Sequence, residues 1–96
     1  MNGTLPSEIS ALTSLEGFSV YENDLYGTIP ESWGNLTRLR NLNLGLCHFT
    51  GSIPSTFTNL TKFIEFQMDS NQFTGTLPNW EEWDSMKRID VQSNLL

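Results

Sequence analysis

Leu36-Thr-Arg-Leu39-Arg-Asn-Leu42-Asn-Leu44-Gly-Leu-Cys47-His-Phe49-Thr-Gly51-Ser-Ile53-Pro54 is the stretch on which the fold turns. Its leucines step by three through Leu36, Leu39 and Leu42 and then by two to Leu44. That switch predicts an irregular or 3₁₀ segment feeding a short strand with alternating faces. The stretch closes on Gly-Ser-Ile-Pro, and variants of that tetrapeptide stand at Gly3, Gly27, Gly51 and Gly75, each 24 residues beyond the last.

Extending this register in both directions divides the chain into coils 3–26, 27–50, 51–74 and 75–96. The apolar phases repeat with it. Leu12, Leu15, Phe18, Val20 and Leu25 are matched by Leu36, Leu39, Leu42, Leu44 and Phe49, then by Leu60, Phe63, Phe66, Met68 and Phe73. The last coil supplies Trp83, Met86, Ile89, Val91 and Leu96, after losing one residue between Pro78 and Trp80. A further set, Ile9, Trp33, Phe57 and Trp80, follows each proline. No 24-residue coil can bury such a set alone, so coils must stack into one apolar column with parallel strands across one face. Asn23, Asn71 and Asn94 share the phase just after the strand, where a column of buried amides can satisfy backbone groups between coils; Cys47 takes that place in the second coil.

The repeat LxxLxxLxLxxNxLxGxIP resembles the plant-type leucine-rich repeat. That resemblance implies an α/β solenoid of about four 24-residue coils, with a parallel β-sheet on the concave face and an irregular or 3₁₀ convex side. It further implies a second short sheet near the Gly-x-Ile-Pro element and an extracellular or cell-surface setting, as in receptor-like kinases, receptor-like proteins and polygalacturonase inhibitors. A kinase domain could follow in such a parent protein. The family's cysteine-bearing caps have no counterpart at either end, and Met1 and Leu96 share one repeat phase, so the expectation is an uncapped segment of a longer array.

Eleven acidic against five basic residues give a net charge of −6. This balance argues against nucleic acid and anionic lipid as partners. No apolar run approaches the ~18 residues of a membrane span, so this segment is not expected to insert directly. Enzyme readings lack inventory. His48 and Cys47 are the sole histidine and cysteine, too few to complete a zinc site; a nucleophile triad would have to use His48, and no GxSxG or phosphate-cradling glycine loop occurs. The acidic run Glu81, Glu82 and Asp84 reads as solvated surface rather than a calcium site. Neither cofactor nor metal is expected.

What varies between coils is the surface beside the inward strand residues. Its columns are Gly17, Asn41, Glu65 and Arg88; Ser19, Asn43, Gln67 and Asp90; Tyr21, Gly45, Asp69 and Gln92; and Glu22, Leu46, Ser70 and Ser93. A rigid sheet carrying unlike side chains over a repeating core suits recognition of a protein or peptide ligand. The expected contacts are Tyr21, Glu22, Asn43, Leu46, Glu65, Gln67, Asp69, Arg88, Asp90 and Gln92, with an acidic bias toward the C-terminal coils that favours a basic or hydroxyl-rich ligand. Four strands span only about 15 Å across the ladder, well short of a standard interface, so the segment alone should bind weakly. Sequons at Asn2, Asn35 and Asn59 offer glycosylation sites, the last two at one convex phase. A rival reading uses the hydroxyl column Thr4, Thr28, Ser52 and Thr76 for passive adhesion to a regular lattice such as ice or wall polysaccharide.

Overall fold

The structure, a computed structural model, describes residues 2–77, 83 and 85–95. After each of Pro6, Pro30 and Pro54 the chain enters a 3₁₀ turn, at Ser7–Ala11, Glu31–Asn35 and Ser55–Asn59. The proline carbonyl accepts the first bond of each, from Ile9 N, Trp33 N and Phe57 N at 3.3, 3.1 and 3.0 Å. Short 3₁₀ pieces suit this side because they bring the chain round a tight bend without the length an α-helix needs.

Each turn leads to a three-residue strand. β2 (Gly17–Ser19), β4 (Asn41–Asn43), β6 (Glu65–Gln67) and β8 (Arg88–Asp90) form one parallel sheet in that order. Phe18, Leu42, Phe66 and Ile89 lie in register on its inner side. The step is 24 residues up to β6, and Glu65 pairs with Arg88, 23 on, so the residue lost after Pro78 is absorbed before β8. Inter-coil bonding continues past the strands through Leu44 N to Gln67 O at 2.7 Å and Leu46 N to Asp69 O at 2.9 Å.

On the flank, β1 (Asn2–Thr4), β3 (Asp24–Gly27), β5 (His48–Gly51) and β7 (Gln72–Phe73) make the second parallel sheet. Its register differs. Thr4 pairs with Tyr26, Tyr26 with His48 and Thr50 with Gln72, so neighbours are 22 residues apart rather than one 24-residue repeat. A slip of two keeps every side chain on its own face, since strand side chains alternate with period two. Buried Leu25, Phe49 and Phe73 thereby stand opposite Gly3, Gly27 and Gly51.

The core runs between the two sheets and the 3₁₀ side. Leu39, Leu44, Phe57, Phe63, Phe66 and Met68 are fully buried, and Trp83 packs edge-on against Phe63 with ring centroids 5.5 Å apart. Trp indoles also tie coils together: Trp33 Nε1 donates to Pro6 O at 3.1 Å and Trp83 Nε1 to Phe57 O at 2.6 Å. Leu5, Ile29 and Ile53, the apolar residue before the proline in each Gly-x-Ile/Leu-Pro element, join this core. Leu12 departs from expectation. Its phase-mates Leu36 and Leu60 are sealed between coils, whereas Leu12, stacked from one side only, is 53% exposed. Of the other core expectations, Met1, Trp80 and Leu96 lie outside the described residues, as do Glu81, Glu82 and Asp84.

Behind the concave strands, Asn71 Nδ2 donates to Leu44 O at 2.7 Å in the preceding coil, while its Oδ1 accepts Phe49 N at 2.9 Å. Asn94 repeats both bonds one coil on, to Met68 O at 2.8 Å and from Phe73 N at 3.0 Å. Asn23 Nδ2 donates within its own coil to Val20 O at 2.8 Å. Cys47 Sγ donates to Val20 O at 3.3 Å, so the thiol supplies the inter-coil donor but no oxygen for the Leu25 amide at the phase of Phe49. Burial pushes this thiol above its ordinary value, opposed in part by the Asn23 and Glu22 backbone.

Candidate functional site

Three-residue strands carry only two outward columns. Beyond them the chain leaves strand geometry at Glu22, Leu46, Ser70 and Ser93, which all take left-handed conformations with φ between 51 and 59°. The fourth surface column is therefore set by a repeated backbone turn, not by strand alternation as the sequence pattern predicts. Left-handed backbone is costly for non-glycine residues and is tolerated where neighbouring bonds fix it. Here Glu22 N, Leu46 N and Ser70 N are each held by a carbonyl of the next coil at 2.9 to 3.0 Å. This turn leaves Leu46 42% exposed on the rim.

The third column contains a saddle at Gly45, a residue absent from the expected contacts. A Cβ at this position would stand 2.7 Å from Asp69 Oδ1 and 3.1 Å from Tyr21 Cδ1, so the side chains of the first and third coils lean over the missing side chain of the second. Tyr21, itself 45% exposed, thus meets a carboxylate across a glycine floor, with Leu46 beside it. Tyr21, Gly45 and Asp69 are spaced by 24, so the signal was a glycine at one register of a column otherwise filled.

Other expected contacts are engaged with one another. Arg88 reaches Asp90 Oδ2 through Nη2 at 3.0 Å and Nε at 3.1 Å, and Gln67 Nε2 donates to the same oxygen at 3.4 Å. Asp90 is largely offset, and Glu65 and Asp69 set the sign of that end. Asn43 Oδ1 accepts Gly45 N at 3.1 Å, which spends the amide on holding the saddle. Gln92 is exposed at the C-terminal end of the same column.

Asn35 and Asn59 close the second and third 3₁₀ turns on the opposite, convex side, both exposed. Asn2 lies in β1. On the flank, the hydroxyl residues of the lattice reading are exposed, and they also occupy space that a side chain on the next coil would need: a Cβ at Gly27 would meet Thr4 Cγ2 at 3.2 Å, and one at Gly51 would meet Thr28 Cγ2 at 2.8 Å. Thr4 closes β1, but Thr28 and Ser52 stand just past β3 and β5, so in a sheet whose register is 22 this 24-residue column does not form a ladder of paired strand positions. His48 Nε2 lies 3.6 Å from Asp24 Oδ1 on this flank. Among the described residues, no three His, Cys, Asp or Glu side chains group to hold a metal, and no helix is long and apolar enough to cross a membrane.

Comparison with known proteins gives consistent answers. The family model described as Leucine Rich Repeat matches residues 38–60. No curated protein matches the chain by sequence. Among solved structures, the plant peptide hormone receptor RGFR1, in complex with RGF2, superposes with a TM-score of 0.94 at 32% identity over 97% of this chain and 15% of the receptor. The Arabidopsis receptor kinase HAESA, in complex with the peptide hormone IDA and the co-receptor SERK1, gives 0.92 at 30% identity over 97% of this chain and 16% of its own. A plant ice-binding protein gives 0.90 at 27% identity, over 98% of this chain and 31% of its own. The chain thus spans about a sixth of these two receptors.

Proposed function

The chain belongs to the leucine-rich repeat family in its plant-type form, and on that premise we propose that it is a non-catalytic recognition module whose concave face binds a protein or peptide ligand in an extracellular receptor or inhibitor. The observation that carries this reading is the Gly45 saddle, where Tyr21 and Asp69 from non-adjacent coils converge beside exposed Leu46. An aromatic ring, a carboxylate and an aliphatic side chain gathered at one spot offer a contact surface suited to a ligand side chain with a cationic or hydroxyl tip. Peptide hormones bound by the similar receptors support the ligand class. Glycans at Asn35 and Asn59 would lie on the convex side and leave the saddle open.

Selection of random displayed peptides on the immobilised chain tests this. Enriched peptides should carry Lys, Arg or hydroxyl residues and should be lost on Tyr21→Ala/Asp69→Asn while circular dichroism stays unchanged. Peptides insensitive to that pair, and to Leu46→Gly, would move recognition off the concave face. Adhesion to a regular lattice is kept as the second reading because a plant ice-binding protein shares the fold. Thermal hysteresis of the purified chain no greater than that of buffer would remove it.

A further inference from the structure

All five cations of the chain, Arg38, Arg40, Lys62, Lys87 and Arg88, fall in the last residues before the concave strands or at the start of one. Stacking brings them to one edge of the solenoid. Arg40 N donates to Glu16 O at 2.8 Å, Ile64 N to Arg40 O at 2.7 Å and Lys87 N to Ile64 O at 2.8 Å, which fixes Glu16, Arg40, Ile64 and Lys87 as a single column. Two residues earlier in the same coils stand Arg38, Lys62 and Ser85. Between these columns lies a groove of about 330 Å³ lined by Glu16, Arg38, Arg40, Lys62, Ile64 and Ser85.

The groove is electrostatically unbalanced. Among the described residues its one lining carboxylate, Glu16, stands 3.9 Å from Arg40, with both side chains more than half exposed at 64% and 52%, a contact that contributes little. Among the described residues, neither Arg38 nor Lys62 has a carboxylate within ion-pair distance. Stacked coils hold like charges about one strand spacing apart, ~4.8 Å at the backbone, so repulsion is built into the edge and an anion would relieve it. Ile64 gives the groove an apolar wall, which shields charge contacts from water.

We propose that this edge is a second binding site, independent of the concave saddle, and that it takes an extended acidic peptide segment with carboxylates on alternate residues. Cations on neighbouring coils call for more than one anionic group. In an extended chain, alternate side chains share a face at about 6.6 Å, within reach of long flexible Arg and Lys side chains on neighbouring coils. Glu16 closes the N-terminal end of the groove, and the chain's net charge of −6 opposes any polyanion that runs on past it. A short acidic segment fits where a continuous phosphate backbone would not.

The test uses fluorescein-labelled acetyl-Glu-Gly-Glu-Gly-Glu-Gly and the whole chain, read by fluorescence anisotropy at low and physiological salt. The peptide should bind in a salt-sensitive manner, and Arg38→Glu/Lys62→Glu should weaken it about tenfold or more, with Arg38→Gln/Lys62→Gln intermediate. Both positions are exposed, so circular dichroism should not change. Tyr21→Ala/Asp69→Asn should leave this binding intact, which separates the edge site from the concave reading. Wild-type affinity in both Arg38/Lys62 double variants would overturn the proposal. So would displacement by inorganic sulfate as effective, charge for charge, as unlabelled peptide, because that would mean a small-anion site only.

Discussion

At the scale of single residues, the most consequential side chain is Asn71. It is buried, donates to three carbonyls and accepts one amide, thereby joining two coils at their turn. Asn71→Ala would leave Leu44 O and Phe49 N buried without these partners, and chemical denaturation should show a loss of about 2–4 kcal/mol. The same logic runs in reverse at Cys47. Cys47→Asn adds the oxygen missing for the Leu25 amide and should stabilise by about 1 kcal/mol. Because burial raises the Cys47 pKa, the folded state retains the thiol proton where the unfolded chain begins to lose it. Wild-type stability should therefore fall as pH rises past the ordinary thiol value of 9.0, and Cys47→Asn should remove that component of the slope. Leu46→Gly separates binding from folding: it relieves left-handed backbone, so the melting temperature should hold or rise, while peptide capture at the saddle falls. The phase of Asn23, Asn71 and Asn94 was visible in the sequence, but the left-handed turn at Glu22, Leu46, Ser70 and Ser93 was not. The four are acidic, aliphatic and hydroxyl residues, so no one side chain marks the turn, and at Glu22, Leu46 and Ser70 it is held by backbone bonds to the neighbouring coil.

At the scale of elements, the convex turns pack more tightly than their sequences announce. A Cβ on Gly34 would stand 2.8 Å from the Thr56 carbonyl and closer still to its side chain, while Thr56 Oγ1 is committed to Glu31 O at 2.8 Å. Gly34→Ala should therefore cost about 1–3 kcal/mol, measured by thermal melts, and Thr56→Ser should not rescue it, because the crowding Cβ, Oγ1 and carbonyl of residue 56 all remain. Gly34 could not be singled out from sequence, since its phase-mates Ser10 and Thr58 carry side chains. The repeat glycines are the opposite case. Gly51 combines φ of +79° with the approach of Thr28 Cγ2; positive φ recurs at Gly3, Gly27 and Gly75 and the close approach at Gly27 and Gly75, which is why the phase stood out in the sequence. The concave strands were legible from the Leu42–Leu44 alternation, whereas the cationic edge was hidden by a net charge of −6. Arg38 and Lys62 are 24 apart, and only that spacing, read for charge rather than for leucine, would have revealed it.

For the whole molecule, stability should vary with position along the stack. The Cα envelope measures 28 × 26 × 18 Å, and its short dimension accords with four coils, three steps of about 4.8 Å plus the thickness of the chain. Coils between two neighbours hold the sealed residues Leu36, Leu39, Phe57 and Phe63, while Ile9, Leu15, Phe18, Met86 and Ile89 are only partly covered. In a nearest-neighbour stack the middle coils open last. Hydrogen exchange should accordingly protect Leu44 N and Leu46 N more strongly than Met68 N and Ser70 N, whose carbonyl partners belong to the last coil. Uniform protection along the chain would point instead to a single cooperative unit.

The two sheets also obey different counting rules, and this bears on how interaction data from such a chain should be decoded. Along the concave sheet, spatial neighbours differ by 24 in residue number until the last step, whereas on the flank they differ by 22, as in Thr4, Tyr26 and His48. A scan whose sensitive positions recur at 24 would report a footprint running straight along the concave sheet. A scan with hits at 22 would report one running straight along the flank, although those residues share no place in the repeat alignment. An averaging procedure that sums positions by repeat phase would therefore sharpen the first footprint and erase the second.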